Sequence, residues 1–326
     1  MAKPKVAFYW CASCGGCEET VVDLAEDILK VVDAVDIALW PVALDFKLKD
    51  VQAWQPGEVA VAFINGAVRL SEQEMWVKLL REKCGMVVAF GSCAHLGGIP
   101  GLANLTTRKA ILENKYLRSV TIDNPNGVIP QERSEVDGYE LELPEFWKDC
   151  KALDQVIEVD YYLPGCPPPT PTVAEAVNAI LEGNLPPKGS VLAPEKSLCN
   201  TCRLNETKPE TMVVEKFKRY ATSTPDPETC FLAQGYVCMG PATRSGCGEL
   251  CINANMPCRG CMGPTPDAVD AGVKMLSTLG TIGIGETEEQ AGDLADTLAD
   301  PAGTLYRFSV PASLLRRTIF PNKGEK

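Results

Sequence analysis

Short runs of β-branched and aromatic residues alternate with amphipathic segments over the first half of the chain. The short runs predict five strands, at Lys5–Trp10, Val35–Trp40, Val59–Ile64, Met86–Phe90 and Val156–Tyr161. The segments between and after them predict three helices, at Glu18–Val32, Ser71–Lys83 and Thr172–Glu182. Strands that alternate with helices are typical of an α/β fold with a doubly wound parallel sheet. We predict such a domain over residues 1–185.

Local sequence signals refine these elements. Ser71 and Glu74 have the spacing of a capping box at the start of the second helix. Glu18 and Glu19 open the first helix, where the macrodipole favours acidic side chains. The segment 124–144 is rich in Gly, Pro and charged residues, which predicts an insertion or a surface hairpin.

The character of the chain changes after Gly183. Residues 185–189 form a Pro- and Gly-containing linker, and the apolar periodicity then fades. Eight of the fifteen cysteines lie between Cys199 and Cys261. Few aliphatic residues accompany them, so we expect metal sites to stabilise this part of the chain. We predict an irregular, cysteine-rich iron–sulfur domain over residues 186–326, which includes a C-terminal tail. The basic residues of this tail suggest either partner docking or ordinary surface packing, and they are Arg307, Arg316, Arg317 and Lys323.

Composition narrows the classes of function. The chain has 326 residues, of which 45% are hydrophobic and 23% charged, as in ordinary globular proteins. A net charge of −12 disfavours binding to nucleic acid or anionic lipid, whose phosphates require Lys and Arg. No apolar run is long enough to cross a bilayer, and the first strand follows Met1 within a few residues, so we expect neither membrane insertion nor an export signal.

The fifteen cysteines are the feature that needs an explanation. An odd count cannot pair completely, and disulfides are rare in reducing compartments, so ligation of metals or clusters is the better interpretation. His95 is the one histidine, which makes hydrolytic catalysis through a histidine base a poor hypothesis.

Four cysteines of the first domain follow predicted strands. Cys14 and Cys17 follow the first strand, Cys93 the fourth and Cys166 the fifth. Because ligands bind at the carboxyl edge of an open parallel sheet, these residues can converge there on one cubane cluster. Cys11 is a rival to Cys14. A bacterial ferredoxin run is excluded, because it needs a further Cys-Pro three residues after the third cysteine.

The second domain offers eight more ligands. The simplest division places Cys199, Cys202, Cys230 and Cys238 in a second set, and Cys247, Cys251, Cys258 and Cys261 in a third. Zinc bound by four cysteines is the competing interpretation, although the gap between the two Cys-x-x-Cys pairs exceeds zinc-ribbon spacing. Cys11, Cys84 and Cys150 are left over, the last two at the ends of predicted helices.

These motifs resemble the small subunits of nickel–iron hydrogenases. The resemblance rests on Trp10 with Cys14-Gly-Gly-Cys17-Glu, on Gly91-Ser-Cys93-Ala with Gly97-Gly-Ile99, and on Pro164-Gly-Cys166-Pro-Pro. It implies a flavodoxin-like first domain whose first set holds the proximal cluster, next to a nickel–iron centre in a large subunit. It also implies that the second and third sets hold the distal and medial clusters, three 4Fe–4S clusters in all.

Two departures from the family pattern point to one branch of it. Cys199 stands where a histidine ligand is usual, and Cys251 stands where a proline is common. Both resemble the cytoplasmic, methyl-viologen-reducing branch. That branch implies two further partners, a small electron-accepting iron–sulfur subunit and heterodisulfide reductase.

Three alternatives remain beside this interpretation. The quinone-site subunit of respiratory complex I has a related fold, but uses two adjacent cysteines and lacks the second domain. A related complex without a working nickel–iron site would leave this chain unchanged. A zinc-stabilised scaffold would have no redox role.

Overall fold

The computed structural model describes residues 3–283, 285 and 287–315. Arg316, Arg317 and Lys323 of the predicted docking tail therefore lie outside the described residues. Nine strands occur in the described part: β1 (Lys5–Trp10), β2 (Asp36–Leu39), β3 (Val59–Asn65), β4 (Val68–Leu70), β5 (Cys84–Phe90), β6 (Arg133–Val136), β7 (Tyr139–Glu142), β8 (Phe146–Lys151) and β9 (Tyr161–Leu163).

Eleven α-helices accompany the strands over the same residues. They are α1 (Gly16–Val22), α2 (Asp27–Ala34), α3 (Leu48–Gln52), α4 (Ser71–Lys83), α5 (Ser92–Leu96), α6 (Arg108–Glu113), α7 (Thr170–Glu182), α8 (Leu250–Asn253), α9 (Ala271–Ile282), α10 (Glu288–Asp296) and α11 (Pro301–Leu305). None of these described helices combines the length and apolarity needed to span a bilayer.

A five-stranded parallel sheet organises the first half of the chain. Its strand order is β2-β1-β3-β5-β9, and every pair is parallel. Side chains alternate between its faces, so Val6 and Phe8 of β1 pack with α1, α2 and α7, whereas Ala7 packs with α4 on the other side. Helices cover both faces, and the predicted doubly wound α/β fold is confirmed.

The first predicted helix is in fact two helices. Residues 23–26 interrupt it, and Ala25 there adopts a left-handed conformation with φ of 51°. This break lets Leu24 enter the core beside Val21, while Ile28 and Val31 of α2 pack on the same face of the sheet. The prediction was wrong because Ala rarely takes this conformation, which usually falls to Gly or Asn.

The last predicted strand was placed too early. The chain forms a 3₁₀ turn at Leu153–Gln155, and β9 begins only at Tyr161. Asp160, just before β9, accepts a hydrogen bond from the backbone N–H of Val87 (2.8 Å) at the edge of the sheet. The buried valines and isoleucine of residues 156–159 pack on the sheet without pairing with it, which strand propensity alone could not distinguish.

The start of α4 also differs from the predicted capping box. Gln73, not Glu74, caps the helix, because its side-chain oxygen accepts from the backbone N–H groups of Arg69 (2.8 Å) and Leu70 (3.0 Å). Ser71 accepts instead from the N–H of Glu145 (3.0 Å) and so ties the helix to the insertion. Ser71 and Glu74, the two residues of the predicted capping box, therefore do not cap the helix.

The segment between β5 and β9 contains the predicted hairpin. Strands β6 and β7 pair antiparallel within residues 124–144. Strand β8 pairs with β4, which lies about 80 positions earlier, and neither was predicted because both are short and distant in sequence. Cys150 therefore lies in a strand and not at a helix end, whereas Cys84 does follow α4 directly as the first residue of β5.

The cysteine-rich half has a hydrophobic core of its own. Aromatic and aliphatic side chains from residues 198–310 form one buried cluster, including Leu198, Phe231, Tyr236, Met275 and Tyr306. Helices α9 and α11 supply much of it. Apolar burial thus contributes more to this region than its fading periodicity indicated, and the division of the chain at residue 185 stays a prediction.

Asp160 offers a test of how the sheet edge is held. Its side chain is 1% exposed and pairs with Arg81 of α4 and Lys188 of the linker, both at 2.6 Å. Burial alone would raise the pKa of Asp160, but these partners and the Val87 N–H lower it below its ordinary value. We expect Asp160→Asn to lower the free energy of unfolding of the iron-loaded chain by about 3 kcal/mol at pH 7.

Because the folded-state pKa is depressed, this contribution is present above the unfolded pKa and is lost as pH falls through the folded pKa. Denaturant titrations of wild type and variant should therefore converge in acid. Asp33→Asn, at an exposed position of α2, is the control and should change stability by less than about 0.5 kcal/mol. Equal effects of the two substitutions at pH 7 would contradict the prediction.

Candidate iron–sulfur sites

The first set lies where three strands of the sheet end. Cys14 and Cys17 follow β1, Cys93 follows β5 and Cys166 follows β9. Hydrogen bonds join the last two loops, because Ser92 donates both its backbone N–H (2.7 Å) and its hydroxyl (2.9 Å) to the carbonyl of Gly165. The parallel sheet thus brings cysteines from distant parts of the sequence to one edge.

The four thiols of this set face one another. Burial raises the pKa of Cys17, and the neighbouring thiols of Cys93, Cys166 and Cys14 raise it further. Burial and the thiol of Cys166 raise the pKa of Cys93 to about 12. Cys14 and Cys166 are exposed at the surface, whereas Cys17 and Cys93 are buried.

Cys11 points away from this group. It is buried, and burial followed by the thiol of Cys150 raises its pKa. Burial also raises the pKa of Cys150 to about 11, and Arg69 lies beside that thiol. Cys84 is buried in the core of the sheet domain, where burial raises its pKa to about 12. The structure therefore groups Cys14, and not its rival Cys11, with the other members of the first set.

Glycines make the room that the first set requires. A Cβ on Gly91 would lie 2.3 Å from the Sγ of Cys17, and one on Gly98 would lie 2.4 Å from the Sγ of Cys93. Both glycines have positive φ, at 86° and 54°. The N–H of Ile99, next to Gly98, donates a hydrogen bond to the thiol of Cys93. Thiols cradled by bare backbone with N–H donors are suited to a bulky iron–sulfur cluster.

The second set surrounds a small cavity near the surface. Cys199, Cys202, Cys230 and Cys238 all line it, together with Lys208. Burial raises the pKa of Cys199, whereas the charge of Lys208 and a hydrogen bond from its ammonium oppose that rise. Burial raises the pKa of Cys238 to about 12, despite hydrogen bonds from the N–H groups of Gly240 and Cys258.

The third set lies between the other two. Burial, followed by the thiols of Cys247 and Cys251, raises the pKa of Cys261 to about 12. Cys258 is buried, and Cys238 and Cys261 are the thiols that act on it most strongly. The guanidinium of Arg259 interacts with Cys238, Cys251 and Cys258. The thiols of Cys247, Cys251, Cys258 and Cys261 are thus linked by mutual electrostatic interactions.

Direct contacts join the sets. The backbone N–H of Cys166, in the first set, donates a hydrogen bond to the thiol of Cys261, in the third. The hydroxyl of Ser92 also donates to the carbonyl of Cys261. The N–H of Met239, next to Cys238, donates to the carbonyl of Cys258 (3.0 Å) and joins the third set to the second. The order in space is therefore first, third, second.

His95 and Glu18 lie beside the first set without joining it. His95 packs against Tyr162, with ring centroids 4.8 Å apart, and burial followed by the charge of Arg244 lowers its pKa to about 3. A neutral, packed imidazole agrees with a structural role. Glu18 is 4% exposed and makes no capping bond in α1, so the predicted capping role does not account for it. Burial raises the pKa of its carboxyl.

Sequence reasoning missed several supporting residues. Lys208 beside Cys199 and Arg259 beside Cys258 stand in stretches without periodicity, and nothing in the sequence marks them. Ser92 lies inside the Gly-Ser-Cys motif, which is the signal that could have identified it. Among the described residues, no group of three or more His, Cys, Asp or Glu side chains is arranged around a single metal ion.

Comparison with known proteins identifies the family. The family described as NADH ubiquinone oxidoreductase, 20 Kd subunit, matches residues 14–180, which include the whole first set. The iron–sulfur subunit of the F420-non-reducing hydrogenase of Archaeoglobus profundus is 42% identical over 97% of this chain and 99% of its own length. The chain belongs to the family of hydrogenase iron–sulfur small subunits. It is thus a subunit of a hydrogenase, which is an oxidoreductase.

Further relatives agree with this family. A subunit of the F420-non-reducing hydrogenase of Methanothermobacter thermautotrophicus is 36% identical over 97% of both chains. A chain of the [NiFeSe] hydrogenase of Desulfovibrio vulgaris Hildenborough superposes with a TM-score of 0.52 over 82% of this chain and 96% of its own, at 18% identity. That superposition shows a shared fold. The resemblance to hydrogenase small subunits is confirmed, and the family implies iron–sulfur clusters and a large-subunit partner.

Substitution of Gly91 tests whether this glycine makes room for a cluster at the first set. We expect Gly91→Ala to remove about four irons per chain, because its methyl group would overlap the Sγ of Cys17. Gly138→Ala is the matched control, since Gly138 has a similar φ of 82° in the β6–β7 turn but nothing within 4 Å of the added Cβ. It should keep its full iron content. Iron and acid-labile sulfide are measured in both variants after purification without oxygen. Equal iron contents would contradict the claim that Gly91 makes room for a cluster at the first set.

Proposed function

We propose that this chain carries electrons from a nickel–iron large subunit, through three 4Fe–4S clusters, to a small iron–sulfur partner and heterodisulfide reductase. The first set of cysteines holds the cluster next to the large subunit. The third set holds the middle cluster, and the second set holds the one nearest the electron acceptor. The observation that supports this best is a series of interactions: the N–H of Cys166 donates to the thiol of Cys261, that thiol interacts electrostatically with Cys258, and the N–H of Cys258 donates to the thiol of Cys238.

The cysteines themselves support cluster ligation. Every one of the fifteen is a free thiol, including the twelve of the three sets. Burial disfavours the thiolate forms of Cys93, Cys238 and Cys261, and binding of iron would reverse that preference because its positive charge stabilises thiolates. Free thiols in this number also favour a reducing compartment, and a cytoplasmic location is part of the proposal.

Exposed cysteines at the two ends of the series give the proposed electron route an entry and an exit. Iron–sulfur clusters supply one-electron transfer when bound. Cys14 and Cys166 open the first set to the surface, where a large subunit can approach. Cys199 and Cys202, both partly exposed, do the same at the far end for an acceptor. The chain itself makes and breaks no bonds of the substrate in this proposal.

Metal analysis of the anaerobically purified chain tests the core of the proposal. We expect about twelve irons and as much sulfide per chain, from three four-iron clusters. Cys238→Ser should remove about four irons, whereas Cys84→Ser, at a buried thiol outside the sets, should keep all of them. A chain loaded with zinc and free of iron would support the scaffold interpretation instead.

The native complex tests the activity. Hydrogen-dependent reduction of methyl viologen, with a large subunit copurified, is the expected result. A complex that contains three clusters but reduces no viologen would keep the electron route and assign the chain to a relative without a working nickel–iron site.

Lys208 should help to set the reduction potential at the second set. Its ammonium donates to Cys199 and to the Oδ1 of Asn205 (2.6 Å), so its charge favours the reduced, more negative state. We expect Lys208→Gln to shift the midpoint potential of one cluster by about 30–60 mV to more negative values. Lys208→Arg should retain most of the wild-type value.

Potentiometric titration followed by electron paramagnetic resonance measures this shift. Lys216→Gln, which removes an exposed charge outside that cavity, is the control and should leave all potentials in place. A potential unchanged in Lys208→Gln would show that the ammonium does not act on this cluster.

A further inference from the structure

Four basic residues converge on one cavity of the cysteine-rich half. The cavity measures about 270 Å³, and its cationic lining residues are Lys218, Arg219, Arg259 and Arg307. The whole chain has a net charge of −12, so such a cluster runs against its overall balance. Cations placed together repel one another unless a negative charge lies among them.

No oxygen acceptor in the described part of the chain pairs with the three arginines, although Arg259 interacts with the thiols of Cys238, Cys251 and Cys258. Neither a hydrogen bond nor an ion pair joins the guanidinium of Arg219, Arg259 or Arg307 to another described side chain, and the Nε of Arg307 is buried. Elsewhere in this chain, cations such as Lys5, Lys78 and Arg81 pair with carboxylates at 2.6–2.7 Å. Oxygen acceptors for these three guanidinium groups are therefore missing among the described residues.

The acidic residue of the lining, Asp300, can balance only one of the four positive charges. Asp300 accepts a hydrogen bond from the N–H of Gly303 (3.0 Å) and so caps α11. Lys218 lies over the ring of Tyr236, with its ammonium 5.8 Å from the centroid, and so has a weak partner. Arg259 and Arg307 both line the cavity, so their two positive charges share one space.

We propose that this cavity binds an oxyanion of the phosphate class, held by Arg219, Arg259 and Arg307. Guanidinium groups present planar pairs of N–H donors that match phosphate oxygens, and a dianion balances two of the unpaired charges. The ligand is either free phosphate or the phosphate group of a nucleotide. Arg259 also interacts electrostatically with Cys251 and Cys258 of the third set, so the bound anion alters the electrostatic potential there.

Phosphate binding to the purified hydrogenase complex tests this proposal. Calorimetric titration with inorganic phosphate, at low ionic strength in a buffer without other oxyanions, should show one saturable site per chain. Arg307→Gln and Arg219→Gln should each weaken binding by about tenfold, the usual effect of losing a charge-assisted hydrogen bond. Lys196→Gln, at an exposed lysine that does not line the cavity, should bind as wild type does.

A second measurement separates binding from general charge effects. Phosphate should lower the midpoint potential of one cluster in wild type, because a nearby anion disfavours the reduced state, and Arg219→Gln should need about tenfold more phosphate for the same shift. Iron content confirms that each variant is folded. If Arg307→Gln loses iron, Arg219→Gln carries the test, because its side chain is exposed. The binding titration does not depend on the proposed electron route.

Titrations with two further ligands identify what binds in the cavity. Adenosine monophosphate that binds more tightly than phosphate would indicate a nucleotide, and equal affinities would indicate the free anion. Absence of saturable phosphate binding, or binding unaffected by both arginine substitutions, would overturn the proposal. Binding of a polyglutamate peptide without binding of phosphate would overturn it too and would indicate a docked protein segment.

Discussion

Burial of thiols that must become anions is the constraint on which this structure depends. In the protein alone, burial holds the pKa of Cys93, Cys238 and Cys261 near 12, so the thiols stay neutral at physiological pH. Thiolates form there only when iron supplies positive charge. The surrounding loops therefore do two things at once: they exclude water from the thiols, and they leave the space and the N–H donors that a cluster needs.

The two halves of the chain meet this constraint in different ways. In the first half a parallel sheet carries the predicted ligands on loops at its carboxyl edge, and helices on both faces keep the strands in place. In the second half several predicted ligands lie within the hydrophobic core itself, since Cys230, Cys238 and Cys258 belong to the same buried cluster as Phe231 and Met275. Folding and cluster binding are therefore more closely coupled in the second half than in the first.

Sequence patterns predicted the features that follow from local periodicity. The position of β1, the extent of α4, the hairpin in residues 124–144 and the placement of cysteines at strand ends all follow from regular patterns. The break at Ala25 did not, because its left-handed backbone depends on packing of Leu24 and not on a Gly signal. The β4–β8 pairing was missed since its strands are short and far apart in the chain.

Side-chain contacts between the sets were the least predictable part. The division of eight cysteines into two groups rested on their order along the chain, and it stays a prediction. Two such contacts arise only from tertiary packing: that of the Lys208 ammonium with Cys199 and that of the Ser92 hydroxyl with the carbonyl of Cys261. No spacing of residues in the sequence encodes either contact.

The unequal exposure of the cysteines bears on how the protein withstands air. Cys14 and Cys166 lie at the surface, whereas Cys230, Cys238 and Cys258 are enclosed. In a chain separated from its large subunit, dissolved oxygen would reach the sheet-edge cluster first. Assembly with the large subunit would then protect that cluster from oxygen as well as supply it with electrons. The order in which the clusters decay in air would show which faces of this chain a partner had covered.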